Sequence, residues 1–247
     1  MHPARIAELL QPFLSNCHSE PAKAGEEPAA LPAAQLQSIS TYIDLLLHWN
    51  ARINLTAIRN EEEIVTRHFG ESLFAASHLF PRVPSAFSAP SAVKGLDVDV
   101  AEARRPTAEP RVADLGSGAG FPGVPIKLWA PKISLTLIES NQKKATFLRE
   151  IARALTLTDV NIQNVRAETL PLSTFDVVTL RAVERLPKVL PTAASLLTPS
   201  GRLALLIASN QLDAARSHLP NLSWDRPIPS PQSQSRLLLI GHQEPQE

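Results

Sequence analysis

The sequence predicts an α/β fold: a mostly parallel central sheet with helices on both faces and an N-terminal helical extension. Three observations carry this. From Arg111 onward, short apolar runs alternate with amphipathic stretches, the pattern of a parallel sheet covered on both sides. A strand-like run, "RVADL", leads straight into Gly116, Gly118, Gly120 and Gly123, four of only 9 glycines in 247 residues. Upstream, Leu36, Ile39, Ile43, Leu46 and Leu47 recur at helical spacing.

Taken in order, residues 1 to about 33 are rich in Ala, Pro and Glu and read as loose or weakly helical. Their apolar patch is broken by Glu8 and Pro12 and makes a poor signal peptide. A helix is expected from about Gln35 to Asn50 and a second from about Glu61 to His78. The three glutamates leading the second suit the positive end of a helix dipole. Residues 81–110 hold five prolines and no periodicity, so they read as a surface insertion. Strands are expected at Arg111–Leu115, Leu135–Glu139, Val160–Val165, Phe175–Leu180, Arg202–Ala208 and near Arg236–Ile240. Helices are expected at Pro122–Trp129, Gln142–Leu155, Pro187–Leu197 and Gln211–Ser217. The organisation is thus an N-terminal extension and helical segment, 1–80; the insertion, 81–110; and the sheet domain, 111–247.

Composition excludes several classes. No apolar run approaches the roughly 18–20 residues of a membrane-spanning helix. A single cysteine, Cys17, forms no internal disulfide, so the cytoplasm is the default location. Lys plus Arg and Asp plus Glu are 24 each. Any contact with nucleic acid must therefore come from a local basic face.

The order strand, glycine-rich turn, helix is the nucleotide-binding corner of a Rossmann-like sheet, where glycine lets the backbone approach a ligand. Taken alone, such a turn also fits a plain structural role. In "DLGSGAG" an acid precedes the glycines. That form is common in methyltransferases that use S-adenosylmethionine (SAM), a molecule with no pyrophosphate but with a sulfonium and an ammonium. Asp114 would suit those cations, directly or through water. The next strand, "SLTLIES", ends at Glu139, where an acid can accept both ribose hydroxyls. Ala167 and Glu168 follow the third strand, in position for the adenine. Arg181 closes the fourth strand, on the same sheet edge as Gly116.

The blocks "LLLHWNARINLTAIRNEEEIVTRHFGESL", "DLGSGAGFPGVPIKL", "LIES", "KKATFL", "VRAE" and "FDVVTLRA" occur together and in order. This assembly resembles the RsmG (GidB) family of 16S ribosomal RNA guanine-N7 methyltransferases, over about residues 36–207. The resemblance implies a SAM-dependent methyltransferase fold with SAM as cofactor. It implies SAM contacts at Gly116, Phe121, Glu139, Ala167, Glu168 and Arg181, with Asp114 and Gly118 in the same loop. Its partner would be 16S rRNA or the small ribosomal subunit, with no metal and no membrane, acting as a monomer. Three departures from the family pattern stand out. Glu71 replaces the usual aspartate after Arg-His, the fifth strand has Ile207 and Ala208 where Lys-Gly is common, and the 81–110 insertion is atypical. If that lysine holds RNA in the family, this chain either lacks the contact or supplies it from Lys188 or Arg202.

Guanine N7 carries a lone pair, so its methylation needs placement rather than a general base. Arg181 is the candidate catalytic residue, holding guanine O6, an RNA phosphate or the SAM carboxylate; a salt bridge to Asp176 or Glu184 is its structural alternative. Arg67, His68, Lys143, Lys144 and Arg185 are the candidate RNA contacts, against the plainer reading of a solvated helix face and a half-buried histidine. Rival classes are a nicotinamide oxidoreductase, which would want a spaced G-x-G-x-x-G, and a non-catalytic relative of the same fold.

Overall fold

The computed structural model describes residues 1–15, 31–82, 109–182 and 186–244. The bulk of the 81–110 insertion, with Cys17, Glu184 and Arg185, lies outside the described residues. Four helical segments come first: α1 (Pro3–Leu14), α2 (Ala33–Asn50), and α3 (Glu61–Glu63) running through a π-helical stretch, Ile64–Gly70, into α4 (Glu71–Leu79). Then follow β1 (Arg111–Leu115), α5 (Gly123–Trp129), β2 (Ser134–Ile138), α6 (Gln142–Ala154), β3 (Val160–Gln163), β4 (Phe175–Arg181), α7 (Leu186–Ser195) and β5 (Leu197–Ala208). The chain closes with α8 (Leu212–His218), β6 (Leu222–Trp224), β7 (Ile228–Pro229) and β8 (Arg236–Gln243).

The sheet order is β3-β2-β1-β4-β5-β8-β6, with β7 also on β8. The first five strands in that order pair in parallel, and β8 runs antiparallel to β5. β1 takes β2 on one side and β4 on the other. That reversal of strand order is a switch point, and a parallel sheet opens its ligand crevice there, beyond the carboxyl ends of the strands.

Alternation along the strands separates two cores. Val112, Leu135, Leu137, Val177, Ala204 and Leu206 face α1, α2, the π-helical stretch, α4, α5 and α6. Ala113, Leu115, Val178, Leu180, Leu203 and Leu205 face α7 and α8. The N-terminal helical segment shares its core with the sheet domain. It covers one face of the sheet as a layer of the same body.

The reading of residues 1 to about 33 as loose or weakly helical is corrected over Pro3–Leu14, where α1 is a packed helix. Ile6, Leu10, Phe13 and Leu14 form one buried stripe, and His2 caps the helix by accepting from the Ala4 N–H. Pro12 lies inside α1 near its C-terminal end, with no backbone N–H to donate. β6 and β7 were not expected; at three residues and two they carry no readable alternation.

Candidate functional site

At the switch point lies a cleft of about 310 Å³, walled by Leu115, Ile138, Leu180 and Val189 and edged by Gly116, Glu139, Ser140, Arg166, Ala167 and Glu168. Four of the residues expected at a cofactor site, Gly116, Glu139, Ala167 and Glu168, thus meet there. Gly116 has φ +69°, and a Cβ built on it would meet nothing within 4 Å. The backbone turns in a left-handed conformation that favours glycine and leaves room against the cleft.

Glu139 is tied at both oxygens. Oε2 accepts the Gly118 N–H at 3.0 Å and Oε1 accepts the Asn141 N–H at 2.7 Å. The carboxylate thereby joins the glycine loop to the start of α6. Each oxygen keeps a lone pair for a further donor, such as a ribose hydroxyl. The site fits SAM on these grounds: apolar walls for a base, spare acceptors for a diol, and acidic side chains near a cationic ligand. Gly118 serves through that backbone bond and does not line the cleft.

Asp114 differs from the expectation. It is 1% exposed and outside the cleft lining. Its oxygens accept from the Gly123 N–H at 3.2 Å and the Thr179 hydroxyl at 3.0 Å. The acid therefore fastens the start of α5 beneath the glycine loop. Gly123 permits this, because a Cβ there would come within 2.9 Å of both Asp114 and Leu137. Phe121 also lies outside the cleft lining. Its ring stacks on His68 at 4.7 Å and on Tyr42 at 5.4 Å.

Arg181 is the deepest surprise. Its side chain is 5% exposed and paired with Glu71, 6% exposed, at 3.0 Å. The expected alternatives are not its partners: Asp176 pairs with Arg111 instead, and Glu184 is outside the described residues. Arg181 also donates to the Arg67 carbonyl at 2.5 Å and to His68 Nδ1 at 2.8 Å, while its buried Nε has no partner among the described residues. Arg236, from β8, lies 3.4 Å from the same Glu71 oxygen. The acceptors Arg67 O and His68 belong to the π-helical stretch, a geometry often found at functional sites. Directly after Arg181, Ala182 takes φ +53°, a strained conformation for a residue with a Cβ.

The signal for Glu71 was an acid opening α4, a helix whose residues are nearly all buried; a buried carboxylate requires a cation. Arg236 gave no comparable signal. Of the basic candidates, Arg67 and Lys143 are exposed and Lys144 is half-buried. Arg202 cannot replace the fifth-strand lysine. It is bound to the Leu79 carbonyl at 3.0 Å, toward the far end of the sheet. Lys188 is exposed on α7 beside Val189 of the cleft.

Two buried groups make stability depend on pH in opposite senses. Burial raises the Asp114 carboxyl to about 6. Its stabilising contribution is present below its unfolded value of about 3.9 and is lost as pH rises through 6. Burial, then the charges of Arg181, Arg67 and Arg236, lower His68 to about 3. Its contribution is present above its unfolded value of about 6.5 and is lost as pH falls toward 3. Asp114→Asn should remove the first trend, raising stability at pH 7.5 by about 1–3 kcal/mol relative to the parent. Urea denaturation at pH 4.5 and 7.5 measures this; an unchanged pH profile would mean that Asp114 stays ionised.

The family model described as rRNA small subunit methyltransferase G matches residues 35–84 and 98–227. The chain belongs to this family. The ribosomal RNA small subunit methyltransferase G of Halorhodospira halophila is 35% identical over 190 residues, covering 77% of this chain and 77% of that one. That of Desulfitobacterium hafniense is 36% identical, covering 69% of this chain and 62% of the relative. That of Bacillus pumilus is 32% identical, covering 74% and 69%. Among solved structures, a ribosomal protein L11 methylase from Lactobacillus delbrueckii is similar, with a TM-score of 0.48 and 20% identity over 56% of this chain and 72% of that one. The Arg181–Glu71–His68 cluster stands at the end of β4, next in sequence to Leu180 of the cleft wall. Among the described residues no helix is long and apolar enough to cross a membrane.

Proposed function

We propose that this chain transfers the methyl group of SAM to N7 of a guanine in 16S rRNA, free or within the small ribosomal subunit. The observation that carries the reading is the cleft at the switch point, where Gly116 leaves open space and Glu139 offers two spare acceptor lone pairs. When bound, SAM supplies a methyl group activated on a cationic sulfur. Gly116 lets the ligand approach the backbone, Glu139 accepts its ribose hydroxyls, and Ala167 and Glu168 border its base. Guanine N7 carries its own lone pair, so the protein's task is orientation, which is worth several kcal/mol in well-placed systems. Arg181, held by Glu71, stiffens the β4 end where the base enters. The test is transfer of labelled methyl from SAM to 16S rRNA, followed by mapping of N7-methylguanine. Binding of both ligands without transfer would favour a non-catalytic relative.

A local basic face would hold the RNA despite zero net charge. Lys143 and Lys144 stand in the first turn of α6, which holds no acidic residue. Cations there oppose the helix dipole, a cost that an anionic partner would offset. Lys143→Glu with Lys144→Glu should weaken RNA binding and lower the salt slope by about 1–2, leaving SAM affinity nearly intact. Equal slopes in filter binding between about 50 and 200 mM salt would take these lysines out of the interface.

A further inference from the structure

Thr56 lies between α2 and α3, half-buried, on a backbone that Asn50 holds in place. Asn50 is itself buried at the end of α2. Its Oδ1 accepts the Leu55 and Thr56 N–H groups at 2.9 and 3.1 Å, and its Nδ2 donates to the Thr56 carbonyl at 2.9 Å. The Thr56 hydroxyl is 2.7 Å from His68 Nε2 and accepts the Ile58 N–H at 3.1 Å.

Arg181 settles which of these atoms carries hydrogen. Its Nη1 can only donate and lies 2.8 Å from His68 Nδ1. Nδ1 is therefore the bare nitrogen. The ring is neutral at ordinary pH, because burial and three neighbouring arginines oppose its charging. The ring hydrogen is then on Nε2, which donates to Thr56 Oγ1. With Ile58 N–H also donating, both lone pairs of the hydroxyl oxygen are filled. Its own hydrogen has no acceptor among the described residues. Each bond in the series Glu71, Arg181, His68, Thr56 polarises the next, which makes the terminal O–H a stronger donor.

We propose that Thr56 donates this hydrogen to an acceptor oxygen of the incoming RNA, guanine O6 or a phosphate, and is a specificity-determining residue for the reaction. This rests on the function proposed above. The segment fits that use: Arg52 and Arg59, on either side of Thr56, are exposed, as is Arg67 next to His68.

The test compares the parent with Thr56→Val, which keeps the shape and loses the hydroxyl, and Thr56→Ser, which keeps the hydroxyl. Single-turnover methylation should fall about 10-fold or more in Thr56→Val and stay near the parent in Thr56→Ser. SAM affinity should hold in both. Thr56→Val also strands two donors, so modified RNAs separate contact from scaffolding. RNA with 2-aminopurine at the methylated guanine lacks O6 but keeps N7, and methylphosphonates at neighbouring positions remove anionic oxygens one at a time. The parent should be slowed by one of these changes, and Thr56→Val should be insensitive to that same change, which also identifies the acceptor. Penalties that add in full for every modified RNA would overturn the assignment and leave Thr56 a scaffold for His68. A parent that transfers no methyl to RNA would instead overturn the proposed function, and the Thr56 assignment with it.

Discussion

Gly116→Val should lower SAM affinity at least about 100-fold, equivalent to roughly 3 kcal/mol of binding free energy. The reason is spatial: a side chain at this position extends into space that is open in the protein, beside the walls of the cleft. Valine also carries a conformational penalty at φ +69°, about 1–2 kcal/mol for a side chain in the left-handed region. Some loss of thermal stability is therefore expected without loss of fold. Gly116→Asn separates the two effects, because asparagine tolerates that backbone while still filling the space. Titration calorimetry should show binding lost in both variants, with the native circular dichroism spectrum retained and a smaller drop in Tm for the asparagine variant. Parent-like affinity in both would move the cofactor site away from this corner.

Arg181→Ala should cost about 3–5 kcal/mol of stability, because it leaves Glu71 buried without its closer cation; Arg236, at 3.4 Å, is its other ion-pair partner among the described residues. It should also slow methyl transfer by about 100-fold or more, roughly 3 kcal/mol of transition-state stabilisation. A single variant cannot tell the two roles apart, but a pair can. Arg181→Met combined with Glu71→Leu replaces the buried ion pair with apolar side chains, a change that is often neutral for stability. The double variant should recover most of the lost denaturation midpoint and none of the lost rate. Recovery of both would reduce Arg181 to a structural salt bridge.

The parallel sheet was legible because its strands are short apolar runs punctuated by turn residues. β1 falls at Arg111–Leu115 as the alternation predicts, and β4 extends one residue beyond its expected end to include Arg181. The cleft was legible too, since strand ends of a parallel sheet share one edge whatever the side chains do. Asp114 was not. Charge complementarity with a cationic ligand is visible in a sequence, whereas the burial that turns this acid toward Gly123 and Thr179 arises only when α5 packs on the sheet. Arg181 and Glu71 are 110 residues apart, and no local pattern joins them. The helical character of Glu61–Leu79 was readable, but its π-helical stretch was not, because seven residues make fewer than two turns, too few for a different repeat to show in the apolar spacing.

The shared core has a consequence for how the chain is made. Helices α1 to α4 leave the ribosome before the strands they cover, and Ile6, Leu10, Tyr42, Phe69 and Leu73, all buried in the finished protein, have no sheet to rest on. Chain growth proceeds at about 5–20 residues per second, so the stretch from the end of α4 to the end of β5 takes on the order of 6–25 s to appear. During that interval the apolar layer can pack only on itself, chiefly α1 on α2 and on the π-helical stretch. Phe13 already meets Gly70 there, so closely that a Cβ at Gly70 would fall 2.6 Å from the ring. Bulk at Gly70 would therefore act first on the nascent chain, as a demand for chaperone protection, before any finished enzyme exists to be slowed.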